Sequence, residues 1–367
     1  MNKSPETFFN MRKIQFIIIC TLTCLFTAVT ATHAGRGPKP EIVLKMATVA
    51  PKGHALTKRM DTFNEEVKKA TNNKVGFKIY WGGVQGDDNN VLRKIRLGQL
   101  HGGFFSGYSL GRIVPEVRVT ELPYIFNNDD EVKYVRDNLD EIMTGYFNKK
   151  GYVVLGGFID IGFMYLFSKK PITSLDALRT SKCWVPGEDA LGQSFYKSMN
   201  IQPVPLSIND VMTSVSTNLI DSAGMTPLGA IAFRWYTKFQ YMSDYPVLNI
   251  IGANIVTKRM WDKISPENRK IVLKIAKKFS EKQKMDLRTA NAESFELLKQ
   301  AGMTIVHMDP VKRPEEIQFM FDAGIAAREA QVGNLYPRDL MNRTLHLVDE
   351  FRKLKTGSAS LALDKKM

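Results

Sequence analysis

The sequence predicts an α/β fold of two domains facing each other across a cleft, with one long helix bracing both. Three observations predict it. Two separate stretches, 41–158 and 174–227, alternate short apolar runs with amphipathic helical patterns, as parallel sheets covered by helices do. Two extended apolar runs, 163–167 (FMYLF) and 245–256 (YPVLNIIGANIV), flank the second stretch and read as strands on which the chain crosses between domains. The segment opening at Ser265-Pro266-Glu267 carries a helical pattern to Gln300 without an internal breaker, long enough to span both domains.

Composition sets the bounds. At 367 residues, 44 % of them hydrophobic, the chain can bury two cores. Arg12 and Lys13 precede an apolar run over 14–29, and Thr32-His33-Ala34 offers small residues where signal peptidase reads, so 1–34 is a predicted cleavable leader. The run is short and threonine-rich for an uncleaved anchor. Cys20 and Cys24 each lack the small residue before them that a lipid anchor requires. Cleavage leaves Cys183 alone, so the mature fold stands on its core without an internal disulfide. Formal charge is +14, of which the leader contributes two (Lys3, Arg12 and Lys13 against Glu6), leaving +12. The lysines are spread over helix faces and never interleave with aromatics as in a nucleic-acid groove, so no nucleic-acid partner is expected.

After a Pro/Gly linker, 41–47 (EIVLKMA) is a first strand. A turn at 48–53 leads to a helix with Leu56, Met60, Phe63 and Val67 on its inner face. A second strand, 75–80, ends in Trp81-Gly82-Gly83. Gly86-Asp87-Asp88 opens a helix that turns Val91, Leu92 and Ile95 inward and closes at Leu97-Gly98. A third strand, 102–106, a helix from Asp129 to about Asn148 and a strand at 152–158 complete this half.

The second half repeats the plan, with strands at 182–185, 202–205 and 219–223. Ala190, Leu191, Phe195 and Met199 line one intervening helix; Ile208, Val211, Met212, Val215 and Leu219 line the other. Ser207 and Asp210 have capping-box spacing. Ligands of parallel sheets sit beyond the carboxyl ends of the strands. Those ends, Trp184-Val185-Pro186, Pro205-Leu206 and Gly224-Met225-Thr226, locate the binding site. A strand at 304–308 and two helices follow the long helix. The expected partition is domain I over 41–160 plus about 247–265, domain II over 161–246, the long helix over 266–301, a C-terminal strand and helices over 302–352, and a loose polar tail over 353–367.

The inventory of chemistry points away from an enzyme. His54, His101, His307 and His346 are scattered without metal-ligand spacing, so no metal or cofactor is expected. Asp87-Asp88 read as charges at a helix N-terminus rather than an acid/base dyad. The Trp81–Gly86 loop lacks a dinucleotide fingerprint and the Lys-Ser/Thr of a phosphate loop, and no Ser or Cys sits in a nucleophile elbow.

The order of motifs over residues 41–345 resembles the DctP-like solute-binding proteins of tripartite ATP-independent periplasmic (TRAP) transporters. The resemblance is carried by Gln85-Gly86-Asp87, Leu97-Gly98-Gln99-Leu100, Pro115-Glu116, Leu122-Pro123-Tyr124-Ile125-Phe126, Pro171-Ile172, Leu175-Asp176-Ala177-Leu178-Arg179, Val185-Pro186, Pro203-Val204-Pro205, Asp210-Val211, Ile220-Asp221 and Pro266-Glu267. Each motif is weak, and their number and order are specific. The resemblance implies a two-domain periplasmic binding protein fold, a periplasmic location, and delivery of a small organic ligand to membrane permease subunits. A dimer through exchanged C-terminal helices is left open.

Within that resemblance, the arginine that usually meets a ligand carboxylate falls on Trp184, and a second arginine falls on Met164. The usual Asn falls on Met225 beside Gly224, an often aromatic position on Ile208, and a usual aspartate on His101. A carboxylate buried there would lose water without gaining a charge partner, at about several kcal/mol. Trp and Met suit an apolar or amphipathic ligand instead. The expected ligand-binding residues are therefore Trp184, Met164, Ile208 and Met225, with Phe163 in the wall and Gln85, Ser106, Tyr108 and Thr226 orienting polar groups. Phe104, Phe105, Phe158 and Trp235 are further wall candidates against plain core packing. Two rival readings stand beside this one. The first is a conventional organic-acid binder using Arg112 or Arg234; the second is a lipid-handling envelope protein with a non-permease partner.

Overall fold

The structure, a computed structural model, describes residues 39–53 and 55–364. The predicted leader, 1–34, lies outside the described residues. In the first lobe, β1 (Ile42–Ala47), β2 (Val75–Tyr80) and β3 (Gly102–Ser106) run parallel in the order β2-β1-β3, linked by α1 (Ala55–Ala70) and α2 (Asp88–Arg96). Asp87 caps α2 by accepting from the Asn90 amide at 2.9 Å. A short α3 (Gly107–Gly111), a 3₁₀ segment (Pro115–Glu121) and α4 (Asp129–Lys149) lead into β4 (Tyr152–Ser168).

The second lobe holds α5 (Leu175–Arg179), β5 (Trp184–Pro186), α6 (Ala190–Ser198), β6 (Val204–Leu206), α7 (Val211–Ser216) and β7 (Ser222–Met225). α8 (Pro227–Ala232) and β8 (Tyr241–Ser243) follow. β5 and β6 are parallel, and Cys183 bridges in parallel to Ser222 at the start of β7. The predicted strand–helix alternation is present, with each strand one to three residues later than the apolar runs suggest. Ser207 does cap its segment, but its hydroxyl accepts from the Asn209 amide at 3.3 Å.

The chain returns on β9 (Leu248–Thr257), which lies antiparallel between β3 and β4. β4 pairs onward with β7 and β8, so β4 and β9 carry both lobes. The separate strands expected at 152–158 and 163–167 are one seventeen-residue strand. Its glycines make bulges rather than a break: the register slips between Leu155 and Phe158 and between Asp160 and Gly162.

After α9 (Lys258–Trp261), α10 (Pro266–Gln300) has 35 residues, a rod about 52 Å long at 1.5 Å per residue. Pro266 at its first position and a Ser265 hydroxyl accepting from the Asn268 amide start it. Val272 and Ile275 pack with Leu44, Phe63 and Phe77 of the first lobe, and Leu298 packs with Phe167 and Trp235 of the second. Gly156, at φ +82, lets the helix close on β4, since a Cβ there would lie 2.5 Å from the Ala276 carbonyl oxygen. Asn291 pins the rod where the lobes join, donating to Ile161 O at 2.7 Å and accepting from the Leu228 amide at 3.2 Å. The helix is thus a brace within its own chain.

β10 (Thr304–Val306), α11 (Pro314–Glu329) and α12 (Arg338–Asp364) complete the chain. Arg352 of α12 makes a bidentate pair with Glu131 of α4 at 3.0 and 2.9 Å. Helix continues through Asp364, whereas the polar composition suggested a loose tail from 353. Gly357 is a single weak breaker followed by good helix formers, and it does not end the helix.

Candidate functional site: the interlobe cavity

Between the lobes lies a cavity of about 280 Å³. The first lobe contributes the β1–α1 turn, the N-terminus of α2, the end of β3 and the 3₁₀ segment; the second contributes the carboxyl ends of β5, β6 and β7 with α6 and α8. Met164 of β4 and Leu248 and Ile250 of β9 form the floor. The strand-end rule therefore locates the cavity correctly.

Seven of the nine expected residues stand on its wall: Ser106, Tyr108, Met164, Trp184, Ile208, Met225 and Thr226. Trp184 is nearly buried at 6 % exposure. Its indole Nε1 donates to the Leu206 carbonyl at 2.9 Å, and its ring meets Trp235 edge-to-face at 5.7 Å. The only polar atom of the side chain is thus spent on the backbone, and the cavity meets an apolar ring. Met164 and Met225 enter through notches where glycine omits a Cβ: one on Gly224 would lie 2.5 Å from Met164 Sδ, and one on Gly229 2.6 Å from Met225 Sδ. Thr226 was expected to orient polar groups, yet its oxygen caps α8 by accepting from the Gly229 amide at 3.1 Å.

Two expected residues lie elsewhere. Gln85 is outside the wall, its side chain and carbonyl held by Lys94 Nζ at 3.0 and 2.8 Å. Phe163 packs against the first-lobe core, because successive residues of β4 point to opposite faces and Met164 takes the cavity side. Of the further wall candidates, Phe104 lines the cavity, whereas Phe105, Phe158 and Trp235 are core residues. Arg112 and Arg234, the cations of the organic-acid reading, are exposed and off the wall.

The charged part of the wall was not legible as such. Among the described residues lining the cavity, Arg118 is the sole cation. It is 5 % exposed, pairs through Nη1 with Glu121, and its Nη2 meets both oxygens of Asp189 at 3.0 Å. Burial opposes its charge, but the Asp189 and Glu121 carboxylates outweigh burial and hold the guanidinium above its ordinary value. Glu121 also accepts from the Ile251 amide at 2.8 Å. Arg118 and Glu121 belong to the first lobe and Asp189 to the second, so this triad ties the lobes together at the cavity wall. A charged pair three residues apart inside the apolar segment around Pro115–Glu121 was the available signal.

Asp88, read as a helix-terminal charge, is the first residue of α2 and lines the cavity. Ser109 Oγ donates to its Oδ2, while Oδ1 is buried without a partner. Tyr108 Oη is likewise buried without a partner. Gly187, at φ +50, makes room for that hydroxyl, since a Cβ there would lie 2.4 Å from it. Behind the main cavity, a chamber of about 40 Å³ shares Met164, Phe195, Tyr196 and Val247 with it and reaches Met308 and Met320.

Comparison with known proteins places these features in a family. Residues 46–322 match the family described as bacterial extracellular solute-binding protein, family 7. A solute-binding protein of Chromohalobacter salexigens is 24 % identical over 262 residues, covering 71 % of this chain and 78 % of the relative. The TRAP periplasmic solute-binding protein of Xanthobacter autotrophicus with bound β-D-galacturonate superposes with a TM-score of 0.75 at 21 % identity, covering 83 % of this chain and 99 % of that one. The sugar acid binding protein of Advenella mimigardefordensis in complex with galactonate gives 0.77 at 17 % identity, covering 86 % and 99 %. At these identities the superpositions establish a shared two-lobed fold.

Proposed function

The chain belongs to bacterial extracellular solute-binding protein family 7, and from that premise we propose that it captures an apolar or amphipathic organic molecule between its lobes. It then hands the molecule to the membrane subunits of a TRAP-type secondary transport system. In this reading the protein works in the periplasm once the leader over 1–34 is removed, and its role is transport rather than catalysis. Capture is a hinge closure on β4 and β9, the strands shared by both lobes.

One observation carries the choice of ligand. The lone guanidinium of the wall is already occupied by two carboxylates, and the Trp184 N–H is already bonded to Leu206. A ligand carboxylate would enter with no free charge partner, and an unpaired buried charge costs about several kcal/mol. The apolar surfaces of Trp184, Met164, Met225, Ile208, Phe104 and Leu248 favour hydrocarbon.

A sugar-acid ligand is the second reading, favoured by the galacturonate and galactonate held in the structures of similar fold. Calorimetry on ligand-stripped protein separates the two. The proposal expects no measurable galacturonate binding and micromolar or tighter binding of the molecule that co-purifies. Trp184→Arg is expected to weaken that binding at least tenfold. Tight galacturonate binding by the wild type would overturn the ligand class; unchanged affinity in the variant would remove Trp184 from the site.

A further inference from the structure

A row of cations crosses the first lobe upstream of the cavity. Lys45 of β1 stands directly beside Lys78 of β2 in the parallel register, and both are exposed. Like charges set opposite one another on neighbouring strands are destabilising. The row continues through His101, whose amide donates to Lys45 O at 2.7 Å and whose Nδ1 accepts from the Lys45 amide at 3.0 Å. Next comes Thr257, whose amide donates to His101 O at 2.8 Å, and α9 then adds Arg259, its guanidinium against Gly98. Burial and then the positive charges of Lys45, Arg259 and Lys263 hold the His101 imidazole below its ordinary value, so these three cations share one neighbourhood. Leu97, next to Gly98, is 62 % exposed among them. Some of the basic charge here has a local explanation. Arg96 and Lys149 close α2 and α4, where cations complement the helix dipole, and Asp262 takes Lys258 and Arg269. Neither explanation covers Lys45, Lys78, Arg259 and Lys263. Among the described residues none of the four forms a salt bridge, and Lys78 meets only the Tyr80 ring, at 4.9 Å.

We infer that this face docks on an anionic membrane surface, with Lys45, Lys78, Arg259 and Lys263 toward lipid phosphates and Leu97 at the headgroup boundary. The inference is independent of what the cavity binds. Exposed cations without acidic partners keep a like-charge cost in the free protein, and an anionic bilayer relieves it. The charge of the mature chain, +12, has the same sign and adds long-range attraction to such a surface. The row also leaves the cleft free. Thr48 and Tyr108, on the cavity wall, follow β1 and β3, whereas Lys45 and His101 precede those strand ends. An acidic protein segment is the other source of anions, but a stable protein interface has an apolar centre, and this row offers cations around Leu97.

The test is flotation of the full mature protein with vesicles of phosphatidylcholine alone, or with about one-quarter phosphatidylglycerol, at about 50 mM and about 300 mM salt. The inference expects binding to the anionic vesicles at the lower salt, at least tenfold weaker binding at the higher, and none to phosphatidylcholine alone. Each cation near an anionic surface is worth about fivefold in partitioning. The triple variant Lys45→Gln, Lys78→Gln, Arg259→Gln should therefore bind at least tenfold more weakly, with thermal melting confirming that it folds. A second triple variant, Lys170→Gln, Lys197→Gln, Lys238→Gln, removes the same charge from exposed positions of the second lobe and should stay within threefold of wild type. Unchanged binding in the first variant, or an equal loss in both, would overturn the assignment of this face. Failure of the wild type to bind anionic vesicles would overturn the lipid partner and leave an acidic protein segment as the occupant of the row.

Discussion

Asp88 offers a stability experiment that needs no ligand. Burial moves its carboxyl from 3.8 to about 6. At about 1.36 kcal/mol per pH unit, keeping it ionised well above pH 6 costs the folded state on the order of 3 kcal/mol. Asp88→Asn removes that cost. The sign follows from the raised value: a carboxyl that holds its proton longer when folded contributes stability below its unfolded pKa. That contribution is lost as pH rises through about 6. Urea denaturation of ligand-stripped wild type and Asp88→Asn across pH 4–8 should therefore show the variant more stable by about 3 kcal/mol at pH 8. The gap should shrink through pH 6 and close near pH 4. A gap independent of pH, or a less stable variant at pH 8, would refute the placement of Asp88 in a desolvated wall.

Three further substitutions test the construction of the site. Arg118→Met leaves Glu121 and Asp189 buried without their cation and should lower stability by about 3–5 kcal/mol, read as a lower urea midpoint at pH 7. Adding Glu121→Gln and Asp189→Asn should restore a large part of that loss. Gly156→Ala meets the Ala276 carbonyl at 2.5 Å from a positive φ and should cost about 2 kcal/mol or more, lowering the melting temperature. Gly224→Ala pushes Met164 Sδ out of its notch into the cavity, so the co-purifying ligand should bind at least tenfold more weakly by calorimetry while secondary structure by circular dichroism is unchanged.

Much of this architecture was legible because it rests on local signals. Ser265-Pro266 and an unbroken pattern to Gln300 mark a helix at both ends, and α10 has those ends. The carboxyl ends of the predicted parallel strands marked the cavity rim at Trp184, Leu206 and Met225. What escaped depends on groups far apart in the chain. Arg118 and Asp189 are 71 residues apart, and neither carries a mark that it will meet the other. Phe163 and Met164 could not be assigned to faces from alternation alone, because the bulge at Gly162 shifts the parity of β4. Gln85 and Thr226 looked like ligand-orienting groups, but a lysine and a helix terminus inside the fold claim their polar atoms. Asp88 is the helix-start charge that the sequence suggests, but its place beside the cavity was not legible. Its sequence context explains an acid at a helix start, and only the packing of α3 shows that its carboxyl faces inward.

The most direct test is native mass spectrometry of the mature protein as purified, with organic extraction of whatever it carries. The account predicts one apolar or amphipathic molecule per chain, without a carboxylate. A sugar acid or other small carboxylate, present at one per chain, would contradict it and return the cavity to the ligand class of the proteins it resembles in fold.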